Sequence, residues 1–193
     1  MINEINKLVI SLPSRPERKE AFLKNNLMGY FNWIEGEVDK EPYKGIARAH
    51  LKAIRYAKDR NWDKVLIMED DVEYPAKDKT LPYIEQCMAA LPEDWDIVLG
   101  GAYFLKGYDK VNAHWKRVGE FCALHWYIVN ARVYDKILAY NYTDHIDLWM
   151  GKQGMKIYLP NKLWAIQTDG YSDNVKKKTD YNSSYLTKFE VLR

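Results

Sequence analysis

The feature that most constrains the fold is the alternation of short apolar runs with amphipathic segments. The runs Lys7–Leu12, Lys64–Met68 and Asp96–Leu99 are rich in Val, Ile and Leu and end at polar or glycine residues, which is typical of buried strands. The spacing of apolar residues between them predicts helices over 17–25, 45–60 and 81–91. This order predicts an α/β fold with a mostly parallel central sheet and flanking helices.

The second half of the chain is less regular. An apolar, aromatic segment over 123–130 is followed by a predicted helix over 131–139, a short helix over 147–151 and a late strand over 156–159. No internal repeat or linker divides the 193 residues, which fit one domain. We therefore expect a single domain over 1–193, or one module of a longer protein, with its ligand at the carboxyl ends of the strands.

Charge and cysteine content exclude several classes of protein. The chain has 29 Lys and Arg against 27 Asp and Glu, so it lacks the clustered positive charge that nucleic-acid binding requires. Cys87 and Cys122 lie apart without metal-binding spacing, which favours a reduced, intracellular protein. No apolar run approaches the ~18 residues of a spanning helix, and the N-terminus has no signal-peptide pattern. We expect a soluble, cytoplasmic protein without a transmembrane segment and without a nucleic-acid partner.

Three adjacent carboxylates, Glu69, Asp70 and Asp71, follow the second predicted strand directly. Like charges this close raise each other's pKa unless a cation balances them. In extended backbone Glu69 and Asp71 point to the same side, and paired carboxylates suit Mg²⁺ or Mn²⁺ with phosphate oxygens in the open positions. The cluster therefore predicts a divalent metal site with Asp71 and Glu69 as ligands. The alternative is a solvated acidic turn.

Four further positions are candidates for ligand contacts. The segment Ser14–Arg18 places two arginines at a strand-to-helix turn, which suits phosphate, although this motif alone favours a capped helix start with solvent-exposed charges. His50 lies on the apolar face of its predicted helix, as a core residue or as a ligand. Gly101 allows either close approach of a ligand or a tight turn. Asp147, beside aromatic residues, is a candidate general base or a helix cap.

Several common motifs are absent from the sequence. There is no Walker loop, GxGxxG, HExxH or GxSxG pattern, so hydrolase and dinucleotide-binding hypotheses have no support.

Taken in chain order, the motifs resemble the glycosyltransferases of the family 25 type, the lipopolysaccharide-biosynthesis transferases. The strand with its Glu-Asp-Asp, Val65–Val72, is the most specific match. The resemblance implies a GT-A fold, a nucleotide-sugar donor with UDP as the first candidate, a divalent metal and inversion at the anomeric carbon. The matching segments are 9–18, 44–51, 65–72 with Pro75, 95–100, 123–132, the region of Asp147, and 167–173.

The resemblance also implies roles for individual residues. Glu69 to Asp71 would take the DxD role, with Asp71 the first metal ligand, and Asp147 would be the base near the acceptor. Residues expected to bind the nucleotide sugar are Leu12, Ser14, Arg15, Arg18, His50, Glu69, Asp70 and Gly101. Residues expected on the acceptor side are Tyr103, Trp126, Gln167 and Asp173.

The sequence departs from the family pattern in three places. The helix that often begins Gly-Cys-x-x-Ser-His begins here as Gly-Ile-Ala-Arg-Ala-His over 45–50. Many GT-A enzymes supply a late histidine to the metal, but no histidine follows His145, so Asp169, Asp173 or water would take that place. The chain is also short for the family, which leaves open that it is one module of a longer protein.

The sequence therefore predicts a metal-dependent transferase that moves a sugar from a nucleotide sugar to a hydroxyl of a glycan or glycolipid acceptor. Two alternatives stay open. A nucleotidyltransferase uses similar carboxylates, but its N-terminal loop is normally glycine-rich and 13–16 is not. The second alternative is a catalytically silent module that binds nucleotide or carbohydrate.

Overall fold

The computed structural model of the chain describes residues 2–172, 177–181, 185 and 188–193. The first half alternates strands and helices, and the apolar pattern predicts three of its five strands. Its elements are β1 (Asn6–Ser11), α1 (Pro16–Asn25), β2 (Asn32–Glu35), α2 (Pro42–Asp59), β3 (Lys64–Glu69), β4 (Val72–Glu73), α3 (Lys77–Ala89) and β5 (Ile97–Leu99).

The second half is richer in strands. A long hairpin, β6 (Phe104–Lys110) and β7 (Trp115–Cys122), precedes β8 (Trp126–Asn130). The remaining elements are α4 (Tyr134–Leu138), α5 (Ile146–Lys152), β9 (Ile157–Pro160), β10 (Lys162–Leu163), β11 (Ile166–Gln167), β12 (Gly170–Ser172), β13 (Lys177–Thr179) and β14 (Glu190–Val191). Short 3₁₀ turns span Ile2–Glu4 and Ala131–Val133.

Eight strands form one sheet in the order β2-β1-β3-β8-β5-β9-β7-β6. Strand β1 is parallel to β2 and β3, and β5 is parallel to β9. Strands β8 and β7 run against their neighbours. The expected α/β class with a mostly parallel central sheet and flanking helices is confirmed.

Apolar side chains on both faces of the sheet create two cores. One core joins residues of α2, α4 and α5 to one face, and the other joins residues of α1 and α3 to the opposite face. The middle residues of the central strands β1, β3 and β8 are therefore continuous apolar runs rather than alternating, since neither face meets water. No helix in the described ranges has the length and apolar character needed to cross a bilayer.

The structure corrects several expected boundaries. Helix α2 begins at Pro42, where proline suits the first helical position, rather than at 45. Helix α3 begins at Lys77 although Pro82 lies inside it. The hairpin β6–β7 was not predicted, because β6 is exposed along almost its whole length and lacks a buried apolar face.

Candidate functional site

A cavity of about 750 Å³ opens beside the carboxyl ends of β1 and β3. The loop after β1, the segment 36–39, the first half of α2 and the start of α5 all contribute to its wall. Its polar and charged lining residues include Ser11, Ser14, Arg18, Glu37, Asp39, His50, Glu69, Asp70, Asp71, Tyr103, His145, Asp147, Gln167, Thr168 and Tyr181. The site therefore gathers segments from the whole length of the chain.

Backbone hydrogen bonds fix the acidic turn, Glu69–Asp71, at the end of β3. The amide of Glu69 donates to the carbonyl of His125 at 3.0 Å, and the amide of Asp70 donates to the carbonyl of Ile10 at 3.1 Å. Thr168 donates from its amide (2.9 Å) and its Oγ1 (2.7 Å) to the carbonyl of Asp71. The backbone that carries the three carboxylates is thus fixed by neighbouring segments of the chain.

The carboxylate of Asp70 contacts side chains of β1 and α1. Ser11 Oγ donates to its Oδ2 at 2.6 Å, and Arg18 Nη1 lies 3.4 Å from its Oδ1. Burial raises the pKa of Asp70, while the contacts with Ser11 and Arg18 oppose that rise. Asp70 joins β1, α1 and β3 at the cavity wall.

Glu69 has a partner for each carboxylate oxygen. His50 Nε2 lies 3.1 Å from Oε1, and Gln167 Nε2 donates to Oε2 at 3.4 Å. Burial is the largest single influence and works against ionisation of Glu69, but the hydrogen bond with His50 and the attraction of nearby positive groups together outweigh it, so the pKa of Glu69 is lowered. Tyr127, which sequence analysis did not single out, contacts the other side of the imidazole through its hydroxyl, 2.9 Å from His50 Nδ1.

Asp71 has a carboxylate oxygen without a partner. Its Oδ1 is buried and makes no hydrogen bond to any described residue, while Oδ2 lies 3.5 Å from Arg18 Nη1. Burial and the neighbouring charge of Glu69 raise the pKa of Asp71 to about 7. A positive ion beside Oδ1 would compensate the carboxylate that this environment disfavours.

The donor set suits a divalent cation that takes few protein ligands. Among the described residues no group of three or more His, Cys, Asp or Glu side chains is arranged to hold a metal. Mg²⁺ is commonly held by one or two carboxylates together with substrate phosphates and water, and Asp71 with its unpartnered oxygen fits that pattern. Of the expected further ligands, Asp169 is exposed and Asp173 lies outside the described residues.

Asp147 lines the same cavity near the start of α5. Its Oδ2 accepts from the amide of Ala123 at 3.0 Å, and its Oδ1 accepts from the amide of Leu148 at 2.8 Å. Burial raises the pKa of Asp147, and these two hydrogen bonds oppose the rise. The carboxylate is therefore held in one orientation, and each oxygen keeps a lone pair for another partner.

The loop after β1 and the start of α1 contribute three of their four expected residues to the cavity. Leu12, Ser14 and Arg18 line it. The side chain of Arg15 instead donates from Nε to Glu17 Oε1 at 2.6 Å, and Arg15 is not part of the lining.

One wall of the cavity, the segment 36–39, was not predicted from the sequence. Arg48 on α2 braces it by donating to Glu37 Oε2 at 2.7 Å and to Asp39 Oδ2 at 2.6 Å. The chain also passes close to α2, since a Cβ built at Gly45 would lie 2.4 Å from the carbonyl oxygen of Glu37. The contact explains why a glycine stands at this position of the helix.

The acceptor-side residues divide into two groups. Tyr103 and Gln167 line the cavity. Trp126 is fully buried, 5.3 Å from Trp164 between ring centres, so the expectation that its ring meets the acceptor is corrected. Gly101 does not line the cavity either. A Cβ at this position would lie 2.0 Å from the carbonyl oxygen of Ala165, so glycine is required here by packing against the backbone.

Comparisons with known proteins bear on the fold. No family model matches this chain, and no curated protein matches it. The crystal structure of A197 from STIV aligns with 98% of this chain and 97% of its own, at 13% identity and a TM-score of 0.53. This likeness shows a shared fold.

Weaker likenesses include two transferases. One is an inositol-1-phosphate CTP transferase from T. maritima, at 16% identity over 83% of this chain and 69% of its own, with a TM-score of 0.45. The other is a Drosophila galactosyltransferase mutant in complex with manganese, UDP-Gal and xylobiose, at 11% identity over 98% and 76%, with a TM-score of 0.42. The family 25 resemblance remains an interpretation of the motifs.

Proposed function

We propose that this chain is a glycosyltransferase that transfers a sugar from a nucleotide-sugar donor, with UDP as the first candidate, to a hydroxyl of a glycan acceptor. The observation that carries the proposal is Asp71, whose buried, unpartnered oxygen belongs to a cavity that Arg18 and Asp147 also line. The cavity volume, about 750 Å³, lies within the range of small-molecule sites. A cation, a phosphate-binding arginine and a buried base are the groups that such a transfer requires.

In this proposal the donor lies along the loop after β1 and the acidic turn. Asp71 would hold a divalent cation, which supplies Lewis-acid stabilisation of the diphosphate. Arg18, already within 3.5 Å of Asp71, is placed to stabilise negative charge on the leaving nucleoside diphosphate. His50 closes the floor, and the segment 36–39 lies against the nucleoside.

Asp147 acts as the base toward the acceptor. It takes the proton of the acceptor hydroxyl while that oxygen bonds to the anomeric carbon and the bond from this carbon to the diphosphate oxygen breaks. A single in-line displacement of this kind inverts the anomeric carbon. Burial raises the pKa of Asp147, which makes its carboxylate a stronger base than an exposed aspartate.

The test is calorimetric titration of the protein with UDP, GDP and CMP, each with and without Mn²⁺. We expect one nucleotide to bind in a metal-dependent manner. Asp71→Asn, which keeps the shape of the side chain, should weaken that binding by at least ~30-fold, or about 2 kcal/mol. Asp59→Asn, an exposed carboxylate at the far end of α2, is the matched control and should bind as the wild type does.

Products of turnover separate the alternatives. A glycosyltransferase releases nucleoside diphosphate from a nucleotide sugar, whereas a nucleotidyltransferase releases pyrophosphate from a nucleoside triphosphate. Binding without either product would favour the silent module. If no nucleotide binds under any condition, the proposed donor site is wrong and the acidic turn is a structural feature.

A further inference from the structure

The hairpin β6–β7 presents an exposed face that lies outside the cavity described above. Strand β6 is the last strand of the sheet, so one of its edges has no partner strand within the described part of the chain. Seven large hydrophobic side chains are exposed among the described residues, and three of them, Phe104, Tyr108 and Val111, belong to this strand and the residue after it. Tyr108 is the most exposed of the three, at 64%.

The strand register places lysines and aromatic rings on one face of the hairpin. Phe104, Lys106, Tyr108 and Lys110 alternate along β6 and therefore point to the same side. Lys106 pairs across the ladder with Glu120 and Lys110 pairs with Lys116, while the Nζ of Lys116 lies 5.6 Å from the centre of the Tyr108 ring. We call Lys106, Tyr108, Lys110 and Lys116 the lysine face.

The charges on the lysine face are incompletely balanced. Glu120 accepts an ion pair from Lys106 at 3.0 Å and lies 3.7 Å from Lys152. Lys110 and Lys116 stand directly opposite one another, and like charges in that position destabilise a sheet. Within the described ranges neither lysine makes an ion pair, and the charge of Glu190 acts on Lys116 from a longer distance. An anion between them would relieve their repulsion.

The lysine face is continuous with the cavity. At the start of β6, Phe104 stands opposite Cys122, and Cys122 together with Tyr103 lines the cavity. The side chains of cross-strand partners lie on the same side of a sheet. An extended ligand can therefore run along β6 and reach the base Asp147, which accepts from the amide next to Cys122.

We propose that the lysine face binds an anionic glycan, the acceptor chain of the transfer reaction, with its reacting end in the cavity. This inference rests on the proposed function. Aromatic rings present apolar faces to sugar rings, while lysines offer three rotatable donors to carboxylate, phosphate or sulfate groups. The combination on one extended strand favours an acidic polysaccharide over a neutral one.

The experiment compares binding of two oligosaccharides of equal length, an acidic hexamer of galacturonate and the neutral maltohexaose. We expect the wild type to prefer the acidic hexamer by roughly 10-fold or more, in a salt-dependent manner. Lys110→Gln combined with Lys116→Gln should abolish that preference. Lys24→Gln combined with Lys64→Gln removes two exposed lysines elsewhere and should leave it intact.

Tyr108→Ala separates specific binding from bulk charge attraction. This substitution leaves the net charge unchanged but removes the stacking surface. We therefore expect it to weaken binding of the acidic hexamer by roughly 5-fold, given ~1 kcal/mol for a stacked ring. Unchanged binding by this variant would overturn a glycan site. Stronger binding to vesicles with 30% phosphatidylserine than to the hexamer, lost in the double lysine variant, would show that the face meets a membrane surface instead.

Lysines on an edge strand also prevent pairing with other chains. If the double lysine variant aggregates while its remaining soluble protein binds the hexamer as the wild type does, the two lysines only protect the edge strand and the proposal is wrong. Binding of UDP does not depend on the lysine face. If the protein binds UDP with Mn²⁺ but does not bind the acidic hexamer, this inference is wrong while the proposed donor site is still supported.

Discussion

At the scale of single residues, Ala123 is held in a backbone conformation that residues other than glycine rarely adopt. Its φ is 115°, and its amide donates to Asp147 Oδ2 at 3.0 Å. Such a conformation costs on the order of 1–3 kcal/mol and persists only where neighbouring contacts enforce it. The hydrogen bond to Asp147 therefore couples the backbone before β8 to the position of the proposed base.

Ala123→Gly should release this strain. We expect the free energy of unfolding to rise by about 1 kcal/mol, because the relief exceeds the ~0.5–1 kcal/mol entropic cost of glycine. In an Asp147→Ala background the backbone can relax without the substitution, so the gain should shrink. Urea denaturation of the four proteins measures the coupling. Equal gains in both backgrounds would mean that Asp147 does not enforce the conformation.

The sequence predicted cavity-lining residues where charged side chains are concentrated locally, and it missed residues whose contacts depend on distant partners. Three consecutive carboxylates after an apolar strand indicate a site by themselves. Tyr127 carries no such signal, because its hydroxyl meets His50 only when β8 lies beside β3, across 77 residues of chain. Gly101 shows the opposite error, since glycine after a strand does not reveal whether a ligand or Ala165 requires the space.

At the scale of secondary-structure elements, the first half of α2 shapes one side of the cavity. The helix begins at Pro42, and its lining positions include Tyr43, Gly45 and His50. Patterning predicted this helix because its buried residues recur on one face. It could not predict that the segment 36–39 lies against the first turns, since that contact depends on backbone approach at Gly45.

Gly45→Ala tests this close approach. Alanine normally stabilises a helix interior by about 1 kcal/mol over glycine, but here the added Cβ would lie 2.4 Å from the carbonyl oxygen of Glu37. We therefore expect a lower melting temperature, together with weaker binding of the nucleotide as the segment 36–39 is displaced. Thermal denaturation and the titration described above measure both. A higher melting temperature with unchanged affinity would show that the segment accommodates the methyl group without cost.

At the scale of the whole molecule, the sheet places a fully buried histidine between the acidic turn and the end of the chain. The carbonyl of His125 accepts from the amide of Glu69, and its Nδ1 lies 3.4 Å from the hydroxyl of Tyr185. Burial lowers the pKa of His125 to about 4, so the folded protein keeps this imidazole neutral at pH values where an exposed histidine binds a proton.

This burial makes the stability of the fold sensitive to acid. Between about pH 6.5 and pH 4 the unfolded chain binds a proton at His125 and the folded chain does not, so the free energy of unfolding falls as the pH falls through this window. A pKa lowered from 6.5 to about 4 corresponds to a loss of about 3 kcal/mol in the free energy of unfolding across this window. His125→Asn should remove this part of the pH dependence, whatever its effect at pH 7.

Urea denaturation at pH 7, 6, 5 and 4.5 measures the change in slope. His145→Asn is the control, because His145 is exposed to solvent and its loss shows the effect of removing a histidine that is not buried. Other carboxylates also contribute to acid denaturation, so the expected result is the difference between the two variants and not the slope of either one. If His125→Asn and His145→Asn lose stability in parallel on acidification, His125 is protonated in the folded protein, and its surroundings are more polar than the structure indicates.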